Sequence, residues 1–69
     1  MNRKQILGAK LRKARDDKGL TRYALGARLG VTFEAVKHWE DGTNMPNKQR
    51  RLEVLKVLGI KSRKFFEGV

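Results

Sequence analysis

Between Leu20 and Gly42 the apolar residues recur on a helical period that is interrupted once, at Gly30. Placing successive residues about 100° apart gathers Ala35, Val36, Trp39 and Glu40 on one side of the segment after Thr32. Phe33, Glu34, Lys37, His38 and Asp41 fall on the other side. One side is a core stripe; the other is long, polar and varied. Leu25 and Leu29 supply the matching stripe before Gly30. Farther out, Leu7, Leu11 and Ala14 recur at i, i+4 and i+7, and Val54, Leu55 and Leu58 at i, i+1 and i+4, which is again helical. No stretch alternates for long, and the β-branched residues are too dispersed to build a sheet.

Glycine supplies the punctuation, because a helix often closes on a left-handed residue that glycine reaches without steric cost. Gly19, Gly30, Gly42 and Gly59 each follow a segment that reads as helix. The stops divide the chain into helices near 2–18, 21–29, 32–41 and 47–58, with a short tail helix near 62–67. Thr21, Thr32 and Asn47 stand where a side-chain oxygen can accept a first-turn amide, and Pro46 fits a loop leading into the fourth helix. The pattern therefore predicts an all-α bundle of five short helices forming one domain over 1–69.

Charge narrows the function. A net charge of +10 and an isoelectric point near 10.8 favour a polyanionic partner through counterion release. A two-faced helix set directly after a helix and a glycine, in so basic a chain, has the form of one that enters a DNA groove. Cysteine is absent and His38 is the single histidine, so neither disulfides nor a metal site is expected to staple the core. No apolar run approaches the roughly 20 residues that span a bilayer, and the N-terminus has no signal-like apolar segment; a cytoplasmic protein is expected, with no membrane partner. His38 has Glu34 one turn away but no partnered serine, and glycine-rich phosphate loops are missing. Catalysis, a cofactor and a small-molecule ligand are not expected.

Leu20, Thr21, Leu25, Gly30, Val31, Thr32, Val36, Trp39, Glu40, Gly42, Pro46, Leu58, Gly59 and Ile60 meet or closely replace a longer pattern. Through them the chain resembles, over nearly its whole length, the Cro/CI-type helix-turn-helix family of phage repressors and their bacterial relatives. The resemblance implies a lambda-repressor-like DNA-binding fold. Three departures matter. Arg22 stands where glutamine is usual, at a position that grips a phosphate in the family. Gly26 stands where alanine is usual, at the crossing of the second and third helices, at a cost of about 1 kcal/mol in helix propensity. Arg51 falls on the apolar face of the fourth helix, where its stem is expected to pack and its charged head to snorkel outward.

The resemblance places base contacts at Phe33, Glu34, Lys37 and His38, the residues that the helical wheel turns outward. Glu34 can accept from cytosine N4, Lys37 can donate to guanine O6 or N7, and Phe33 can pack on a thymine methyl; Phe33 can also fold back beside Val31. His38 suits either a base edge or a phosphate. Phosphate contacts are expected from the helix starts at Thr21 and Thr32 and from Arg22, Asn44, Lys48 and Arg50, with Lys10 and Arg12 as further candidates. Trp39 belongs to the core. Arg15 and Glu40 occupy positions whose residues form, in the family, a partly buried ion pair between the first helix and the end of the third.

A domain of this kind covers one half-site, so a homodimer on a pseudopalindromic double-stranded operator is expected. Ile60, Phe65, Phe66 and Val69 are the dimer-contact candidates, one phenylalanine capping its own core and the other remaining available. A Cro-like or CI-like repressor is the leading expectation. The alternatives are an antitoxin or adaptor that uses the same fold to bind a protein, and RNA or membrane-surface binding driven by charge alone. The chain reads as a stand-alone repressor more than as the N-terminal domain of a longer one, because no polar linker ends it.

Overall fold

The computed structural model describes residues 1–67, in which α1 (Arg3–Asp17), α2 (Arg22–Leu29), α3 (Phe33–Asp41) and α4 (Lys48–Leu58) are followed by a 3-10 turn, Arg63–Phe66. The starts are set by side-chain caps. Thr21 Oγ1 accepts from the Ala24 amide at 3.0 Å, Thr32 Oγ1 from Ala35 at 3.2 Å and Asn47 Oδ1 from Arg50 at 2.8 Å. Each such cap contributes about 1 kcal/mol. At the N-terminus Asn2 and Gln5 exchange bonds of 2.9 and 3.0 Å, a capping box that lies in the sequence as Asn-x-x-Gln. At the other ends, Gly30 and Gly42 close α2 and α3 with φ of 76° and 77°, where a Cβ would be strained.

The tail corrects one expectation. It is a 3-10 turn of four residues rather than a fifth α-helix. Its bonds run from Phe65 N to Ser62 O and from Glu67 N to Lys64 O, and the Phe65 carbonyl is taken by the Lys10 ammonium at 3.0 Å. With that acceptor used by a distant side chain and Glu67 extended, the short segment has no run over which α-helical bonding could propagate.

The core is one contiguous cluster in which Leu11 of α1, Leu25 and Leu29 of α2, Val36 and Trp39 of α3, Val54, Leu55 and Leu58 of α4, and Phe66 meet. Leu25, Val36 and Val54 are wholly excluded from solvent. Helix α3 packs against α1 and α2, while α4 packs on α2 and carries the 3-10 turn.

Two glycines let the neighbours of α3 come unusually near. At its start, a Cβ on Gly26 would stand 2.7 Å from the Val31 carbonyl oxygen and 3.2 Å from Thr32. At its end, a Cβ on Gly8 would run into the Glu40 carbonyl oxygen and lie 2.6 Å from that of Trp39. The absent side chains at Gly8 and Gly26 thus set the depth at which α3 sits. Helix propensity alone would reward Gly8→Ala by about 1 kcal/mol. The expected outcome is the reverse, a net loss of about 1–3 kcal/mol from overpacking, read as a lowered midpoint in a thermal melt; a raised midpoint would contradict the close crossing.

Candidate nucleic-acid interface

The caps and the two close crossings hold α3 with Val36, Trp39 and Glu40 buried and with Phe33, Glu34, Lys37, His38 and Asp41 exposed. That is the division the helical wheel predicts. Phe33 is about half exposed and shares a shallow groove of about 260 Å³ with the largely exposed Tyr23 and with Ala27, Val31, Thr32 and Glu34. It lies beside Val31 and is still presented outward, so the two expectations for it merge. Lys37 Nζ sits 3.1 Å from Asp41 Oδ2 in a half-exposed pair one turn apart. Such a pair contributes about 0.3–0.5 kcal/mol, little enough for a competing acceptor to displace it. The face carries two carboxylates, Glu34 and Asp41, against one ammonium, which sets it apart from a chain of net charge +10.

Behind this face lies the best-defined polar cluster of the protein. Glu40 is buried, and its side chain meets two arginines from two other parts of the fold. Arg15 Nε and Nη2 donate to Oε2 and Oε1 at 2.6 and 3.0 Å, a two-pronged pairing between α1 and α3. Arg22 Nε, from the first residue of α2, donates to the same Oε1 at 3.0 Å. Arg15 is completed by a hydrogen bond from Nη1 to the Leu20 carbonyl at 2.8 Å and an ion pair with the exposed Asp16, Oδ1 at 3.1 Å. The hydrogen bond to Glu40 raises the Arg15 guanidinium further above its ordinary range, outweighing desolvation, which acts the other way. Among the described residues no buried side-chain nitrogen or oxygen lacks a partner. The expected Arg15–Glu40 pair is present; the third member, Arg22, was expected only at a phosphate.

The other basic candidates divide by what they touch. Lys48 and Asn44 are exposed. Thr21 and Thr32 accept the cap bonds through Oγ1 and keep their O–H as a donor. Arg50 instead braces the fold, since Nη1 donates to the Leu29 carbonyl at the end of α2 at 2.6 Å and to Glu53 at 2.8 Å. Arg51 is only partly buried, and its head is tethered as well as packed: Nε donates to the Pro46 carbonyl at 2.9 Å, and the guanidinium lies 5.8 Å from the Phe66 ring centre. Lys10 sits over the Phe65 ring at 4.6 Å and Arg12 lies 4.0 Å from Asp16. The Arg12–Asp16 and Arg50–Glu53 pairs follow from helix spacing, whereas Arg50 with Leu29, Arg51 with Phe66 and Lys10 with Phe65 join residues that only the fold brings together.

At the tail, Phe66 is buried in its own core while Phe65, set edge-on to it at 5.0 Å, stays partly exposed, as does Ile60. Val69 lies outside the described residues. Among the described residues no group of three His, Asp or Glu side chains could hold a metal ion, and no helix is long and apolar enough to cross a membrane.

A family model described as Helix-turn-helix matches residues 11–65, which include the whole α2–α3 unit and Arg15. The chain is 31% identical over 61 residues to an uncharacterized HTH-type transcriptional regulator of Sinorhizobium medicae, covering 88% of this chain and 44% of that protein. A second uncharacterized HTH-type transcriptional regulator, R00410 of Rhizobium meliloti, shows the same identity and coverage. A Yarrowia lipolytica protein provisionally named multi-protein-binding factor 1 is 35% identical over 57 residues, 83% of this chain and 38% of its own. The chain thus spans less than half the length of these relatives. No solved structure matches it at comparable significance.

The shared carboxylate has a measurable consequence. Glu40→Ala strips the buried Arg15 guanidinium of its buried carboxylate, leaving only Leu20 O and the exposed Asp16, and is expected to cost about 3 kcal/mol. Arg15→Met combined with Glu40→Leu removes both charges while filling the space, and is expected to cost clearly less. Thermal melts of the two variants decide it; equal losses would show that the pair acts through packing alone.

Proposed function

The chain belongs to the Cro/CI-type helix-turn-helix family, and on that premise we propose that it is a sequence-specific double-stranded DNA-binding regulator, acting in the cytoplasm as one domain that inserts α3 into the major groove. The observation that carries this is the fixed two-sidedness of α3. Val36, Trp39 and Glu40 anchor it, and Phe33, Glu34, Lys37 and His38 project together from an exposed face. Side chains on such a face read base edges, and flanking amides, hydroxyls and cations hold the backbone.

In this reading Glu34 accepts from a cytosine amino group, Lys37 leaves Asp41 to donate to guanine, and Phe33 covers a thymine methyl, with His38 on a base edge or phosphate. Thr21, Arg22, Thr32, Asn44 and Lys48 hold phosphates. Arg50 joins them only through the guanidinium nitrogens that Leu29 and Glu53 leave unused. A Cro-like or CI-like repressor bound as a homodimer to a pseudopalindromic operator fits the size of the domain. Ile60 and Phe65 are then the available dimer contacts, because Phe66 is committed to its own core. Val69 completes the set from outside the described residues.

One observation favours a second reading, an adaptor that binds a protein. The exposed rings of Tyr23 and Phe33 border an apolar groove, and the Yarrowia lipolytica relative is named for binding proteins.

Selection of duplexes from a random pool would deliver the half-site, and affinities for that duplex and a scrambled one would then test the reading. Phe33→Ala and Lys37→Ala are each expected to lower affinity for the selected site by about 1–3 kcal/mol while changing scrambled-site affinity far less. The ratio of the two affinities should survive rising salt in the wild type. Equal losses on both duplexes, or a ratio that collapses with salt, would contradict it.

A further inference from the structure

Two guanidinium groups share the single buried carboxylate of Glu40, and they share it unequally. Arg15 takes both oxygens and adds Leu20 O and Asp16. Arg22 reaches one oxygen, and through Nε alone. Its side chain is 33% exposed against 8% for Arg15. Nη1 and Nη2 of Arg22 have no bonded partner among the described residues, and neither is buried without one. Both therefore reach solvent. Arg22 is also the first residue of α2, where the free first-turn amides and the helix dipole favour an anion.

Resting on the DNA-binding reading above, we propose that Glu40 is a positioning residue for DNA: it holds Arg22 by Nε so that the two Nη groups form a fixed fork for one backbone phosphate. A free arginine must be ordered when it binds, losing rotamer freedom. Here the ordering is done in advance by a side chain that never meets the nucleic acid. The arrangement depends on the arginine itself, since glutamine at this position has neither the charge nor a spare fork once its amide is engaged. The carboxylate that fixes the angle of α3 also fixes the phosphate contact beside it, so reading helix and backbone anchor move as one body.

The test measures affinity for a random-sequence duplex of about 20 base pairs by fluorescence anisotropy across about 50–200 mM salt, corrected for the folded fraction from melts of each variant. Arg22→Gln should weaken binding roughly threefold to tenfold and lower the slope of log affinity against log salt by about 0.9, one phosphate's worth. Arg22→Lys should keep the slope, because the charge remains, yet lose most of the affinity that glutamine loses, because an ammonium cannot hold Glu40 and present a planar fork together. Glu40→Gln should weaken binding more when Arg22 is present than in an Arg22→Gln background, where only its effect on the seating of α3 through Arg15 remains.

Wild-type affinity in Arg22→Lys, or equal losses from Glu40→Gln in both backgrounds, would overturn the proposal while leaving DNA binding intact. If Glu40→Gln does not fold, Arg22→Lys decides alone. A wild-type chain that shows no salt-dependent duplex binding would overturn the DNA reading itself, and the proposal with it.

Discussion

The geometry of this protein turns on one buried carboxylate. Glu40 lies on the inner face of α3, and through two arginines it fastens that helix to α1 and to the start of α2. A buried ion pair is a poor source of net stability, because removing two charges from water costs about what their attraction returns. Its use here is geometric. Apolar contacts at Val36 and Trp39 hold α3 against the core but tolerate rotation about its axis, whereas a two-pronged guanidinium–carboxylate pair accepts a narrow range of directions. Val36 and Trp39 decide which face of α3 turns inward, and the Glu40 pairings narrow its rotation about that setting.

The close crossings complete that constraint. Gly26 admits the backbone at the start of α3 and Gly8 admits the carbonyls at its end, so the helix is held at both ends by backbone contact and in the middle by Val36. Its outer side chains are free of structural duty apart from the weak Lys37–Asp41 pair. A chain of this size can spare an exposed helical face with a half-exposed phenylalanine only because the opposite face is so fully determined.

Much of this was legible in the sequence where the cause is local. The two faces of α3, the capping threonines and Asn47, the glycine stops and the inward Trp39 follow from periodicity and from single-residue conformational preference, and the structure has them as expected. The Arg15–Glu40 pair was reachable through resemblance to a family. What was not legible depends on residues far apart in the chain. Arg22 meets Glu40 eighteen positions away and Arg50 meets the Leu29 carbonyl twenty-one away, while Lys10 reaches Phe65 across the fold. For each of these cations a solvated or phosphate-bound head was the local expectation, and the tertiary fold supplied a nearer acceptor. Gly8, a glycine inside the helical stripe of Leu7 and Leu11, is the local sign of the close crossing at the end of α3. The tail forms a 3-10 turn where a fifth helix is expected, and the Lys10 bond to its Phe65 carbonyl comes from far away in the chain.

The exposed face of α3 carries more negative than positive charge in a strongly basic protein, and on the proposed reading it serves to discriminate among bases more than to attract phosphate. The most direct measurement is the change in backbone amide resonances when the selected duplex is added to isotopically labelled protein. The account expects the changes to concentrate at the start of α2 and along the outer face of α3, from Thr21 to Tyr23 and at Phe33, Glu34, Lys37 and His38, with the α1 face opposite unaffected. Changes scattered over the basic residues of α1 and α4, with α3 silent, would contradict it.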